Sequence, residues 1–333
     1  MKAVEITSQY TLGVTQRPVP APHEGEVLIH VAYAGFCGSD LNTWRGLNAM
    51  ATFPRIPGHE IGAIVEALGP GLPADLPFKV GDIVTVNPYT ACGHCASCRR
   101  GRSNACENNE TLGVQRNGAM QEYVALPWTK IIPVTGVSVR DCALIEPMSV
   151  GFHAVSRGQV TDTDVVMVIG CGMVGLGAVV AAVQRGATVI AADIDDEKLA
   201  LARQLGATHT LNTLQPDAAP VPEPDVVVEA VGSAPTYRMA IDKVAFTGRV
   251  VCIGYAKQDI ALTTQLFVKK ELDIRGSRNA TPDDFAAVIR YLHDSHCPTD
   301  SLISAIVTPD GAADAMQQWH TAPGKVFRIL VQF

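Results

Sequence analysis

The chain has 333 residues, more than a single hydrophobic core usually serves, so two domains are expected. Hydrophobic residues at 47% and charged residues at 18% describe a packed soluble protein, and a net charge of -7 with no basic block argues against nucleic acid or an anionic membrane as partner. Nine cysteines, on a chain whose N-terminal MKAVEITSQY has no apolar stretch of signal-peptide length, point to a cytoplasmic protein that uses its thiols for metal rather than for disulfides.

Residues 1–36 read as short strands, among them EVLIHVAYAG with alternating apolar positions, interrupted by Pro18, Pro20 and Pro22. Cys37-Gly38-Ser39-Asp40 comes next, then a polar loop, then Pro57-Gly58-His59-Glu60 ahead of a further strand, IGAIVEALG. By spacing alone Cys37 and His59 suit a buried structural thiol and a satisfied imidazole as well as they suit a metal. Cys92, Cys95, Cys98 and Cys106 follow in a lobe, about residues 90–107, of glycines and polar side chains that cannot build a core of its own. Four thiolates so close together complete a tetrahedral zinc site and leave no position for a substrate. A redox-active C-x-x-C is the competing reading, but such motifs open a helix after a strand rather than arriving as a triplet. His94, inside the lobe, is one donor too many and is read as solvated.

A closed four-thiolate site in the same chain as a second, mixed group suggests a division of labour. The second group draws on Cys37 and His59, with Glu60 and Glu146 as candidate carboxylates. Mixed sulfur, nitrogen and oxygen ligation with one position left for water is usual for a catalytic zinc. Glu146 suits a plain helix-start acid before Pro147 equally well.

A helical stretch, PMSVGFHAVSRG, then leads into VVMVIGCGMVG, from Val165 to Gly175. β-favouring residues broken by Gly170, Gly172 and Gly175, then small residues, read as strand, tight turn and helix with G-x-G-x-x-G spacing. One glycine serves the turn, one lets the backbone approach a pyrophosphate, and one allows close helix–strand contact. The phosphate would sit on the free N–H groups of the helix start. The uncharged run 165–183 is long enough for a membrane span, but its four glycines and the strand ATVIAADI that follows argue against one. Asp193 closes that strand roughly 20 residues beyond the fingerprint, where an acid holds a ribose hydroxyl and repels a 2'-phosphate, favouring NAD over NADP. DDEKLALARQLGA is a helix with Leu199, Ala202 and Leu205 on one face and Gly206 as its C-terminal cap. The runs DVVVEAVG, GRVVCIGY and LDIRGS are further strands separated by helix or loop, so the fold class is α/β with a doubly wound parallel sheet. Residues 212–224 read as a surface connection. From Thr281 the tail adds one helix, DDFAAVIRYLHD, and a terminal strand, KVFRILVQF, that returns to the first domain.

Taken together, GFCGSD, PGHE, VGD at residues 80–82, the four-cysteine lobe, the EP pair at Glu146, the glycine fingerprint and Asp193 resemble the zinc-dependent medium-chain dehydrogenases, specifically the sorbitol dehydrogenase-like branch, over nearly the whole chain. The resemblance implies a GroES-like, β-rich catalytic domain over 1–147, completed by 279–333, and a Rossmann NAD-binding domain over 148–278, with the active site in the cleft. It implies two zinc ions per subunit: a catalytic one at Cys37, His59 and Glu60, with Glu146 as ligand or neighbour through water, and a structural one at Cys92, Cys95, Cys98 and Cys106. It implies NAD as cofactor, a small polyhydroxy substrate and a homo-oligomer, dimer or tetramer. Ser39 matches the Ser or Thr that hydrogen-bonds the reacting hydroxyl, and Glu60 counts among the catalytic residues. Cofactor contacts are expected at Gly170, Gly172, Met173, Val174, Gly175, Asp193, Lys198, Gly232 and Gly254, although Lys198 also suits an ordinary solvated helix lysine.

Two departures from the family pattern stand out. Asn42 takes the place of a histidine that often relays the proton outward, and it cannot ionise, so the relay must use ribose hydroxyls, water or another acid. Ala63, with Gly62 before it, replaces a usual glycine, for which a small backbone adjustment is expected. The segment GSRNATPDDF, from Gly276, is similar to bacterial sugar-acid dehydrogenases of the L-galactonate and L-gulonate 5-dehydrogenase type, in the group of the starvation-sensing RspB proteins. That likeness gives Arg278 a substrate carboxylate or Glu146 as partner and gives Asn279 a substrate hydroxyl; an Arg structurally paired at the domain junction is the alternative. The implied reaction is NAD+-dependent oxidation of C5 of L-gulonate or L-galactonate to a keto acid. A polyol or threonine dehydrogenase, and an NAD- and zinc-binding regulator without turnover, are the alternatives.

Overall fold

Among the described residues two large sheets, beside a small two-stranded one, organise the chain, each dictated by the patterning of its strands. The computed structural model describes residues 1–215, 220–256, 258–295 and 297–333; residues 216–219 of the expected connection 212–224 lie outside these. One unit comprises Met1–Glu146 with Ile289–Phe333, the other Pro147–Val288.

The first unit is built on the strand Glu26–Phe36, whose Val27, Ile29 and Val31 are fully buried. Each such side chain contributes about 1.5–3 kcal/mol relative to exposure. One edge of this strand pairs antiparallel with Glu60–Leu68. The other edge pairs in succession with Tyr123–Pro127 and Ile329–Gln332. Ile83–Val86 and Ile131–Pro133 extend the sheet on one side and Ala305–Val307 on the other. The hairpin of Lys2–Ser8 and Thr11–Gln16 shares the same core. The strand register shifts between Val31 and Tyr33, which pair with Ala63 and Gly62, the place where a backbone adjustment was expected.

The tail is richer than its sequence suggested. Beyond Pro282–Asp294 it contains the short helix Thr299–Leu302 and the helix Ala312–Thr321, which buries Ala312, Ala315, Met316 and Trp319 at helical spacing. The return to the first unit falls at Ile289, inside Pro282–Asp294, rather than at residue 279. The first turns of that helix stay with the second unit, where they bury Asp284, Phe285 and Val288, with Asp284 Oδ2 lying 2.9 Å from His153 Nδ1.

The second unit is a six-stranded sheet in the order His209–Asn212, Thr188–Asp193, Val165–Ile169, Val226–Glu229, Arg249–Cys252, Asp273–Gly276. All neighbours are parallel. The chain winds outward in one direction from Val165–Ile169 and then in the other from Val226–Glu229, the doubly wound arrangement. The inner strands are apolar on both faces, with Val166, Met167, Val168, Val226, Val227 and Val228 all buried, as a sheet covered on both sides requires. The uncharged run 165–183 divides into strand, turn and the helix Met173–Gln184, and no helix among the described residues is long and apolar enough to cross a membrane.

Candidate metal and cofactor sites

Strand register explains how residues far apart in sequence meet. Gly35 pairs with Glu60, so one strand of the pair ends where the other begins. Cys37 follows the first strand and His59 precedes the second, and with Glu60 their ligand atoms lie within 4.8 Å of one another. Gly35 leaves the room this needs: a Cβ there would meet Glu60 Oε2 at 2.3 Å. Cys37 also caps the helix Gly38–Trp44, where its N–H donates to Asp40 Oδ2 at 2.8 Å.

The donor atoms of this group are held ready. His59 Nδ1 and Glu60 Oε1 are buried with no hydrogen-bond partner among the described residues, and Glu60 Oε2 has the Arg328 ion pair but no hydrogen bond among them. Leaving such atoms unsatisfied costs about 1–3 kcal/mol each, more for a charged group. Burial works against a charged His59 imidazole, yet the Cys37 thiolate, together with Asp40 and Glu146, raises its pKa well above the ordinary value. The site therefore favours a positive charge, and its mixed S, N and O donors fit zinc.

Glu146 lies outside that three-residue group. It stands in the first turn of Ile145–Arg157, buried, and its Oε1 accepts a hydrogen bond from the Tyr89 hydroxyl. Burial raises the Glu146 carboxyl to about 7, with His59 opposing and Glu60 reinforcing the shift. Ser39 presents a buried Oγ with no hydrogen-bond partner among the described residues, while its main-chain carbonyl accepts from the Thr43 hydroxyl at 2.9 Å.

Three neighbours escaped the sequence reading. Asp40 is fully buried beside His59, and burial pushes its carboxyl up to about 6. Tyr89 carried no signal in its surroundings. Arg328 did, as the one charge in the apolar run FRILVQF: its Nε contacts Glu60 Oε2 at 3.1 Å as an ion pair, and its Nη1 donates to the Phe36 carbonyl at 2.6 Å.

The ligand atoms of Cys92, Cys95, Cys98 and Cys106 lie within 4.8 Å of one another, all as free thiols. Cys95 Sγ is 3.8 Å from Cys106 Sγ. The edge of a tetrahedron with zinc–sulfur bonds of about 2.3 Å is also about 3.8 Å, so the lobe fits the ion. The main-chain N–H groups at His94 and Cys95 draw the Cys92 thiol down to about 7, and the Ser97 hydroxyl draws Cys95 to about 5. His94 is exposed, its Nδ1 turned to the Cys92 carbonyl at 2.8 Å.

In the second unit the glycine turn divides its duties. Gly170 has φ +93°, which a side chain resists. A Cβ on Gly175 would meet the Gly170 carbonyl at 1.8 Å, whereas one on Gly172 would meet nothing within 4 Å. Gly172 thus faces open space at the start of Met173–Gln184, a helix with no side-chain cap and no acid in its first turn, which suits a phosphate. Asp193 Oδ2 accepts the Cys171 N–H of this turn at 2.6 Å, and Oδ1 accepts the Ile194 N–H at 2.7 Å. Lys198 is half-buried on Asp196–Gln204, and its charge, like that of Asp193, reaches Cys171. Gly232, Gly254, Arg278 and Asn279 lie beyond the C-terminal ends of the fourth, fifth and sixth strands in chain order, on the same side of the sheet as the turn.

A metal-ready thiolate, imidazole and carboxylate on a β-rich unit, in one chain with a dinucleotide-type turn, define an oxidoreductase that joins zinc to nicotinamide chemistry. Comparison with known proteins agrees. The alcohol dehydrogenase GroES-like domain matches residues 23–136 and the zinc-binding dehydrogenase domain residues 173–294. The L-galactonate-5-dehydrogenase of Escherichia coli K12 is 34% identical over 300 residues, 87% of this chain and 86% of its own. The sorbitol dehydrogenase of Bacillus subtilis is 31% identical over 346 residues, 99% of this chain and 97% of its own. A structure of RspB from Escherichia coli CFT073, complexed with NADH, superposes with a TM-score of 0.91 at 29% identity, covering 100% of this chain and 99% of that one. The chain belongs to the zinc-dependent medium-chain dehydrogenase family. It is an NAD-dependent alcohol dehydrogenase of the polyol and sugar-acid type, in a family whose cofactors are zinc and a nicotinamide dinucleotide.

Proposed function

We propose that the enzyme oxidises a secondary hydroxyl of a sugar acid, C5 of L-gulonate or L-galactonate, to the keto acid with NAD+ as hydride acceptor. The observation that carries the substrate reading is the likeness to the L-galactonate-5-dehydrogenase across most of both chains. Arg278, half-buried, is assigned to the substrate carboxylate, which its planar fork suits, and Asn279, at φ +55°, to a hydroxyl.

In this reading Cys37, His59 and Glu60 hold the catalytic zinc, with Glu146 as a further ligand or a neighbour through water, and Cys92, Cys95, Cys98 and Cys106 hold the structural one. Zinc at the first group supplies Lewis acidity, which makes an alcohol give up its proton readily. Ser39 Oγ would take that proton as its own hydroxyl proton moves on, a role supported by a buried Oγ with no hydrogen-bond partner among the described residues. Asn42 cannot pass it on, so the path outward uses water, ribose hydroxyls or a neighbouring acid. Gly170, Gly172, Met173, Val174 and Gly175 cradle the pyrophosphate, Asp193 and Lys198 hold the ribose, and Gly232 and Gly254 border the dinucleotide. The protein's share of the catalysis is positioning and electrostatics. We also assign the enzyme to the cytoplasm and to a homo-oligomer, the second supported by Asp273–Gly276, an edge strand of its sheet among the described residues, with its exposed Ile274.

A polyol substrate is the second reading, favoured by the likeness to the Bacillus subtilis sorbitol dehydrogenase over nearly the whole chain. The deciding experiment follows NADH formation with L-gulonate, L-galactonate, sorbitol, xylitol and L-threonine in parallel, with and without chelator. Turnover confined to an aldonate and abolished by chelation is expected. Turnover on polyols alone would replace the sugar-acid reading and remove the carboxylate role from Arg278.

A further inference from the structure

Glu229 is a carboxylate for which the reading above has no use. It ends the strand Val226–Glu229, beside Val165–Ile169, at the point where the winding of the sheet reverses. The residue is fully buried. Its Oε1 accepts three hydrogen bonds, from the Val231 N–H at 3.0 Å, the Gly232 N–H at 2.8 Å and the Thr236 hydroxyl at 2.7 Å. Its Oε2 is buried and has no hydrogen-bond partner among the described residues. An ionised carboxylate, which only accepts, satisfies this pattern, whereas a carboxylic acid would bury an O–H on Oε2 with nothing to receive it. None of the ion pairs among the described residues includes Glu229. A buried charge without a counter-ion is costly, so its presence calls for a use.

The surroundings of Glu229 indicate that use. A Cβ on Gly254 would meet the Gly232 nitrogen at 2.1 Å and Glu229 Oε2 at 2.7 Å. The Tyr237 hydroxyl donates to the Gly254 carbonyl at 2.6 Å, and Thr236 beside it bonds Glu229. The carboxylate therefore lies against both glycines assigned to the dinucleotide, held by the Val231 and Gly232 N–H groups and the Thr236 hydroxyl, with the Tyr237 and Cys252 side chains close enough to feel its charge. In a doubly wound sheet the ligand lies outside the C-terminal ends of the strands where the winding reverses.

We propose that Glu229 is a fixed negative charge that selects the oxidised cofactor, whose nicotinamide ring is cationic, over the reduced and neutral one. The inference rests on the dinucleotide reading of the glycine turn and is independent of which alcohol is oxidised. A unit charge acting through the protein interior over a few side-chain lengths shifts a binding equilibrium by on the order of tenfold. Such a bias holds NAD+ for the alcohol and lets NADH leave, which suits an enzyme working toward oxidation.

The test measures Kd for NAD+, NADH and ADP-ribose by calorimetry on the zinc-loaded protein, comparing wild type with Glu229→Gln, Glu229→Asp and Thr236→Val. Glu229→Gln should weaken NAD+ about tenfold while NADH and ADP-ribose, which lack the ring charge, stay within about twofold. Glu229→Asp keeps the charge and Thr236→Val removes one of its hydrogen bonds, so both should retain the wild-type ratio of the NAD+ and NADH constants. Equal weakening of all three ligands by Glu229→Gln would overturn the proposal and reduce Glu229 to a support for the turn. A ratio moved by about tenfold in Glu229→Asp or Thr236→Val would overturn it too, even if Glu229→Gln does not fold. Wild-type protein that binds none of the three would overturn the dinucleotide reading itself, a result separable from the others.

Discussion

Two alanine substitutions three residues apart should have opposite consequences, and the contrast probes the glycine turn directly. In Gly175→Ala the new Cβ would stand 1.8 Å from the Gly170 carbonyl oxygen. Non-bonded atoms settle at roughly 3.5 Å, so the helix Met173–Gln184 must move away from its strand by more than about 1 Å. Overpacking of this kind costs about 3 kcal/mol, or roughly 10 °C in Tm for a unit of this size. In Gly172→Ala the Cβ meets nothing within 4 Å, and the residue's φ of -70° is one that alanine adopts readily. Its stability should stay within about 1 kcal/mol of wild type, the loss of a glycine cap being offset by a less flexible unfolded chain. The methyl group would instead occupy the space assigned to the pyrophosphate. Losing one charge-assisted hydrogen bond of about 1.5–3 kcal/mol weakens NAD+ about 10- to 100-fold. Thermal unfolding and NAD+ calorimetry on both variants separate the effects. A Gly172→Ala protein that binds NAD+ as wild type does, or a Gly175→Ala protein with an unchanged Tm, would refute the division of roles.

Arg328→Met removes the cation in contact with the buried Glu60 and should destabilise the first unit by about 3 kcal/mol or more, read as a fall in Tm of the chelated protein; an unchanged Tm would mean that the pair has no energetic role. Asp284 gives a pH signature. Burial pushes its carboxyl upward, but the hydrogen bonds from His153 and Thr281 outweigh this and hold it below the ordinary 3.8. A depressed carboxyl stabilises the fold above the pH at which it ionises in the unfolded chain, and that contribution fades as pH falls through the folded value. Between pH 7 and pH 3 the wild-type Tm should therefore fall more steeply below about pH 4 than that of Asp284→Asn, which starts lower by about 1–3 kcal/mol; parallel curves would contradict the assignment.

The parts of the fold legible in the sequence are those where local chemistry admits few solutions. A fingerprint of three glycines reads as a turn because each has its own physical demand: a positive φ at Gly170, open space at Gly172, and contact with a carbonyl at Gly175. The four-cysteine lobe reads as a metal site because it has no apolar side chains to close it otherwise. What stayed hidden depends on strand pairing. Cys37 and His59 are ambiguous by spacing until the register of Gly35 against Glu60 brings them together, and Arg328 reaches Glu60 only because Ile329 pairs with Phe36. Tyr89 is one tyrosine among seven until its hydroxyl is seen on Glu146. The helix Ala312–Thr321 had a helical pattern in Ala312, Ala315, Met316 and Trp319, but two of those positions are alanines, which mark a buried face weakly. The later return to the first unit follows the burial of Asp284, Phe285 and Val288 in the first turns of Pro282–Asp294, a face whose side of the domain boundary the helical pattern alone does not give.

The central claim is that Cys37, His59 and Glu60 hold the zinc on which turnover depends, apart from the zinc of the four-cysteine lobe. Zinc content per chain of His59→Ala, measured by mass spectrometry beside NADH formation, tests it most directly. The account predicts that His59→Ala loses one zinc ion per chain and all turnover while the lobe keeps its own ion and the protein stays folded. Retention of the full zinc content, or turnover without it, would contradict the account.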